Sequence, residues 1–263
     1  RVLIIFSFLE DSDVFQKFYS KNLAQRLIKG ESASEDMEAT MISKLKQRCG
    51  AEWTRKFTTM FHDVTTSKEL TKKFLRSSSA KVSNAGPAIT KDFSAMVMTS
   101  GSWPFSDVEE RRILQLPAAL HRPCEKFKEW YLHDKSGRKL IWLLHLAKGE
   151  LLSTFSADKK TGTPLTYTLQ ASAHQMAILM LYNDVAITSL TVMQIEKQLG
   201  SDEPRPYLRS VLSTLFKTKI LLATPEGDVT DQTECTLNQT WKQKKTKVNI
   251  SNIPLKKEVL KEA

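Results

Sequence analysis

The sequence predicts a mainly helical α+β chain made of a helical bundle, a discontinuous α/β module and a winged-helix domain. Three observations predict it. Apolar residues recur with the helical period over the first ninety or so positions. They then give way to short alternating runs. The helical period returns at Ser172, ahead of a strand, a turn and a strand.

Asp13 is placed to cap a first helix whose apolar stripe is Val14, Phe15, Phe18, Tyr19, Leu23, Leu27 and Ile28, with Gly30 as its stop. A capping box, Ser32-Ala33-Ser34-Glu35, opens a second helix that puts Met37, Met41, Ile42, Leu45 and Cys49 on one face before Gly50. Trp53, Phe57, Met60, Phe61 and Val64 carry the period into a third, and Leu70 and Phe74 mark a short fourth. Short connections fold such helices antiparallel, so residues 1–91 read as a bundle. Residues 77–90 are small and polar around Gly86-Pro87, which is a linker composition.

Phe93 to Thr99 reads as a strand that Gly101-Ser102-Trp103-Pro104 breaks. A further helix near 117–135 carries Leu120, Phe127, Trp130 and Tyr131 inward. Residues 139–146 and 150–155 flank Lys148-Gly149 and read as a β-hairpin with the glycine in its turn, and Tyr167 to Gln170 as another strand. Helices then start at Ser172, at a second capping box, Thr191-Val192-Met193-Gln194, and at Pro204 and Pro206. Ile220 to Ala223, the turn Pro225-Glu226-Gly227-Asp228 and a return strand near Cys235 to Trp241 complete a winged helix over 171–245. The alternating run Thr246 to Ile253 must pair with something. It returns to the earlier sheet, so the α/β module comprises 92–170 plus 246–256.

The 263 residues suffice for two or three modules of ordinary size, and 41% hydrophobic with 26% charged residues excludes the disordered and fibrous classes. A formal net charge of +10 suits an acidic partner: nucleic acid, an anionic membrane or an acidic protein segment. Cys49, Cys124 and Cys235 lie far apart with no CxxC pair, which indicates neither a disulfide framework nor a thiolate zinc site. A reducing compartment, cytoplasmic and nuclear, fits that usage. The opening run Val2 to Leu9 is apolar but too short to span a bilayer. Lacking an initiator Met, it reads as the start of a piece of a longer chain. His62, His121, His133, His145 and His174 have no metal-ligand spacing, and no HExxH, GxSxG or phosphate-cradling run occurs. No catalytic residue, metal or cofactor is therefore expected.

Several stretches resemble the C-terminal region of cullins. Asp13 to Lys21 with Leu23 to Ile28 is similar to the first helix of the cullin four-helix bundle, and Glu38 to Lys46 to the next, down to its Lys-Leu-Lys. Ser100 to Phe105, Ser136 to Trp142 and Lys148 to Leu151 resemble the family's α/β module. Tyr167 to Ser172 and Gln175 to Leu179 resemble its entry into a winged helix. The Ser-Gly-Ser-Trp-Pro-Phe and Leu-Gln-Ala-Ser wording is closest to the paralogue that works with an F-box adaptor in SCF-type ubiquitin ligases. The resemblance implies that the family's N-terminal repeats and its modified terminal winged helix lie outside this sequence.

The resemblance also implies a non-catalytic scaffold of a multi-subunit cullin-RING ubiquitin ligase. A RING-box protein would add its N-terminal strand to the α/β sheet, bringing the zinc and recruiting the ubiquitin-conjugating enzyme. The residues expected at that site are Phe93, Met96, Met98, Leu140, Trp142, Leu144 and Leu151, which would serve equally as the module's own core. Lys17, Lys21, Arg26 and Lys29 on the first helix form a basic face for the conjugating enzyme's acidic tail, or simply a solvated face. No membrane partner is expected. The alternative is a winged-helix nucleic-acid-binding protein using Arg205, Arg209, Lys217, Lys219 and the run Lys242, Lys244, Lys245, Lys247. Its third helix has few residues suited to reading base edges. A helical interaction module unrelated to ubiquitin is a third possibility.

Overall fold

The computed structural model describes residues 11–30, 34–80, 92–105, 115–157, 164–184, 187–200, 206–225 and 227–251. It contains two compact units, Arg1–Ser106 and Asp107–Ala263.

The first unit holds α1 (Ser12–Lys29), α2 (Glu35–Cys49) and α3 (Ala51–Ala80). Its core joins Leu23, Ala24 and Leu27 of α1 to Ile42 and Leu45 of α2 and to Phe57 and Met60 of α3. Aromatic rings lock the α1–α3 seam: Tyr19 meets Phe57 edge-on at 5.1 Å, and Phe15 stacks near Trp53. Gly30 ends α1 at φ 65, a left-handed position that glycine occupies without strain. The cap is Asp11, and Asp13 lies in the first turn, where a carboxylate suits the helix dipole. Ser34 caps α2, accepting from the Met37 amide; Ser32, the expected cap, lies outside the described residues.

One correction concerns α3. The break expected between a third and a fourth helix does not exist, and the helix runs unbroken for 30 residues, ~45 Å at the usual rise. Leu70 and Phe74, both buried, continue the same helix as Phe57 and Met60 and do not begin a new one. Thr58, Thr59 and Thr65 return their hydroxyls to the carbonyl four residues back, which keeps them compatible with the helix. The helix also covers residues 77–80 of the expected linker, and the rest of that linker lies outside the described residues.

The second unit contains α4 (Ala118–Asp134), β1 (Lys148–Ala157), β2 (Pro164–Ser172), α5 (Ala173–Met180), β3 (Ser189–Thr191), α6 (Val192–Gln198), α7 (Pro206–Lys217), β4 (Leu221–Thr224), β5 (Glu234–Leu237) and β6 (Lys247–Asn249). Two sheets result, ordered β1-β2-β6 and β3-β5-β4. Along β2 the inward residues Tyr167, Leu169 and Ala171 alternate with outward ones, as the pleat requires. The lone C-terminal run does return to this sheet: β6 pairs parallel with β2, Leu169 opposite Val248. Lys247 on β6 reaches across β2 to Glu150 on β1 at 2.6 Å, and its ammonium holds the Glu150 carboxyl below the usual range.

The expected hairpin of residues 139–146 with 150–155 is wrong. Residues 139–143 join no sheet, Leu144–Leu146 form a single 3-10 turn, and β1 pairs with β2 instead. Gly149 misled the sequence reading because glycine has two uses. A Cβ there would meet Sδ and Cε of Met176 at 2.9 Å, so its absence lets α5 lie close over β1 and does not serve a turn.

α5 is buried on every side and forms the hub of the unit. Ser172 and Gln175 close a full capping box at its start. Gln175 then donates to Thr214 Oγ1 in α7 and to the Ile250 carbonyl just past β6, both at 3.0 Å. One buried amide thereby ties three elements together. The two sheets share one apolar core running from Phe155 and Tyr167 through Ile195 and Leu212 to Cys235, Trp241 and Ile250. Thr191 and Gln194 form the second expected capping box, on α6. The sequence reading missed β3, whose three residues are too few to show a period.

Burial in β5 pushes the Cys235 thiol up to about 12. At pH 8 an alkylating reagent is therefore expected to modify Cys49, which is partly exposed, and to spare Cys235 until denaturant is added. Peptide mass mapping checks this; equal labelling of both in native buffer would contradict the packing of this core.

Candidate functional site

The site begins with a mismatch between backbone and partner. Residues 93–99 carry neither helix nor turn and belong to neither sheet. Alternate residues of this segment are nevertheless bonded, not to a strand but to side chains of α3. The Ser67 hydroxyl accepts the Val97 amide at 2.8 Å and donates to the Val97 carbonyl at 3.2 Å. The Thr71 hydroxyl treats Ala95 in the same way, at 3.2 Å both times. At the far end Asp63 accepts the Thr99 amide at 2.7 Å, the Thr99 hydroxyl at 2.9 Å and the Trp103 indole N–H at 2.8 Å.

The spacings explain the fit. Positions 63, 67 and 71 are four apart, ~6 Å along a helix, while 99, 97 and 95 are two apart, ~6.6 Å along a strand. The segment therefore runs antiparallel to α3 in extended form, matched rung for rung. In an extended chain the amide and carbonyl of one residue point the same way and those of the next point oppositely. Ala95, Val97 and Thr99 face the helix. Ser94, Met96 and Met98 face away, and their backbone amides have no partner among the described residues. This is an open strand edge.

A groove of about 570 Å³ lies among the end of α1, α3 and residues 92–96, with Leu27, Ile28, Phe61, Phe93 and Met96 as apolar lining and Arg26, Lys29, Lys68, Lys72 and Asp92 as charged lining. Phe93 leans edge-on against Phe74 at 5.7 Å, Met96 is 36% exposed, and Met98 packs against the core of the first unit. These three expected site residues thus lie on one segment beside one edge.

The other four belong to the second unit and have separate fates. Leu140 and Trp142 sit on the unpaired stretch 139–143. The Trp142 ring lies 6.1 Å from Phe127, and its indole N–H is buried with no acceptor among the described residues, a state that costs ~1–3 kcal/mol. Leu144 is taken up in the 3-10 turn. Leu151 is opposite Leu169 in the β1–β2 ladder and packs, partly buried, on the core.

The expected basic face of α1 is also revised. Lys17 and Lys21 are exposed and one turn apart, but Arg26 lies roughly 180° around the helix from Lys17. Arg26 is moreover engaged by Glu38 at 2.6 Å and lies over the Tyr19 ring; that burial and the Glu38 carboxylate push the Tyr19 hydroxyl up to about 12. The geometry gives the nucleic-acid alternative no support. Arg209 pairs with Asp231, Lys247 with Glu150, and Arg205 lies outside the described residues.

Asp63, Ser67 and Thr71 were missed by the sequence reading. Their signal was available: three hydrogen-bonding side chains at i, i+4 and i+8 on a helix otherwise read by its apolar stripe. Trp103, read as part of a breaker and of the Ser100 to Phe105 resemblance, is buried and bonded to this same row.

Helices joined to two small sheets, with no helix among the described residues long and apolar enough to cross a membrane, define an α+β chain. A family model described as the cullin alpha+beta domain matches residues 97–241, and one described as the cullin alpha solenoid domain matches residues 1–71, the part read from sequence as a bundle. The chain is 39% identical over 264 residues to Cullin-1 of Dictyostelium discoideum, covering 99% of this chain and 32% of that protein. To Cullin-1 of Schizosaccharomyces pombe it is 36% identical over 263 residues, covering 100% and 32%. To Cullin-4A of Homo sapiens it is 32% identical over 260 residues, covering 98% and 32%. The chain belongs to the cullin family, and it spans about a third of the length of these curated relatives.

Asp63→Ala removes three bonds from a carboxylate that is 8% exposed. Bonds to charged groups are worth ~1.5–3 kcal/mol each, so a loss of ~3 kcal/mol or more in urea unfolding followed by circular dichroism is expected. A change below ~0.5 kcal/mol, the size of an ordinary surface substitution, would mean the row is not holding the segment.

Proposed function

We propose that this chain is the partner-holding part of a cullin-RING ubiquitin ligase scaffold, and that a RING-box protein binds it by adding an extended strand to the edge at Ser94, Met96 and Met98. The carrying observation is the half-bonded segment 93–99: one edge is saturated by α3, and the other offers backbone donors and acceptors in strand register. An incoming strand satisfies those groups, and the apolar groove beside them receives its side chains. The unpaired stretch at Leu140 and Trp142 offers the second unit's own unsatisfied groups to the same class of partner.

Within this reading, α5, α6 and α7 with the β3-β5-β4 sheet form the winged helix, and the scaffold acts without chemistry of its own. Its contribution is positional: the RING-box protein carries the zinc and recruits the conjugating enzyme, whose effective concentration near substrate rises. Lys17 and Lys21, with Lys29, steer an acidic tail of that enzyme, an effect that weakens with salt. The reading places the complex in cytoplasm and nucleus.

Co-expression with a RING-box protein, followed by purification and zinc analysis, tests this. The full chain is expected to retain the partner and its zinc, while Met96→Pro, which deletes a donor on the open edge, weakens retention tenfold or more. Retention unchanged by Met96→Pro would remove strand addition at this edge; no retention by the parent chain would remove the reading altogether.

A further inference from the structure

We propose that Asp63, Ser67 and Thr71 act together as a surrogate strand: positioning residues that hold 93–99 in strand geometry before a partner arrives, so that the incoming segment docks on a preformed edge. The inference rests on the strand-addition reading above and goes beyond it, because it assigns a role to the α3 side chains that bond the opposite edge of the segment.

Three features set this row apart from ordinary helical hydroxyls. A serine or threonine in mid-helix usually returns its hydroxyl to the carbonyl four residues back, as Thr54, Thr58, Thr59 and Thr65 do. Ser67 and Thr71 instead have their hydroxyls on the backbone of 95 and 97, and Ser67 is only 3% exposed. Each hydroxyl also gives one bond and takes one from the same residue, which is what a residue of a neighbouring antiparallel strand does. Finally the carboxylate, which can only accept, stands at the end of the row, where it receives an amide, a hydroxyl and an indole N–H.

The consequence is kinetic. A segment that had to be ordered at the moment of docking would be competent only for a fraction of the time, and the apparent affinity would fall by that fraction. The row keeps the fraction near one and leaves the outward amides of Ser94, Met96 and Met98 ready.

The test uses the full chain and, as probe, a synthetic peptide of the RING-box protein's N-terminal segment, with association and dissociation followed by biolayer interferometry. The double variant Ser67→Ala with Thr71→Val is expected to bind about tenfold more weakly or worse, with most of the loss in the association rate. The pair Ser67→Thr with Thr71→Ser keeps both hydroxyls and is expected to bind like the parent chain. A merely structural defect would not be restored in that way, nor confined to association. Circular dichroism reports folding of each variant; should the double variant unfold, the single changes carry the test, with a threefold slower association expected of each. Parent-like rates in the hydroxyl-free variants overturn the surrogate strand while leaving strand addition standing. Absence of binding by the parent chain overturns strand addition itself, and this inference with it.

Discussion

Backbone amides and carbonyls that leave water must be bonded, and in the first unit of this chain a helix supplies those bonds from its side chains. The row Asp63, Ser67, Thr71 saturates one edge of residues 93–99 and so dictates which groups face the other way. The proposed strand addition at Ser94, Met96 and Met98 follows from that constraint. A segment bonded on both edges would be an inner strand with nothing to offer, and one bonded on neither would be an unordered loop that a partner would have to organise.

The second unit solves the same problem differently. Its strands pair with one another, and its buried polar groups are few and shared: Gln175 links the start of α5 to α7 and to the chain leaving β6, while Trp241 donates to the Thr218 carbonyl and packs on Phe155 and Tyr167. These links stiffen the short elements around one core. The buried indole N–H of Trp142 has no acceptor among the described residues, and it lies on a stretch that joins no ladder.

Much of the architecture was legible in the residues. The capping box at Thr191, the strand at Tyr167 to Gln170, and the return of the last strand to an earlier sheet each follow from a local rule with one meaning. Where a signal has two meanings the reading failed. Gly149 marked a turn by composition but a close approach by packing, and Leu70 and Phe74 marked a separate helix by spacing but continue α3 in the structure. The candidate site was half legible. Phe93, Met96 and Met98 announce a strand by type, whereas nothing local to them reveals that the strand is held by residues some thirty positions earlier. Family resemblance located the region, and the hydrogen bonds identified the edge.

The central claim is that this segment is bonded on one side only, and amide hydrogen exchange resolved by NMR addresses it most directly. In the free chain the amides of Ala95, Val97 and Thr99 should exchange slowly and those of Ser94, Met96 and Met98 fast, with all six slow once a RING-box protein is bound. Uniform exchange along 94–99 in the free chain, whether fast throughout or slow throughout, would contradict the account.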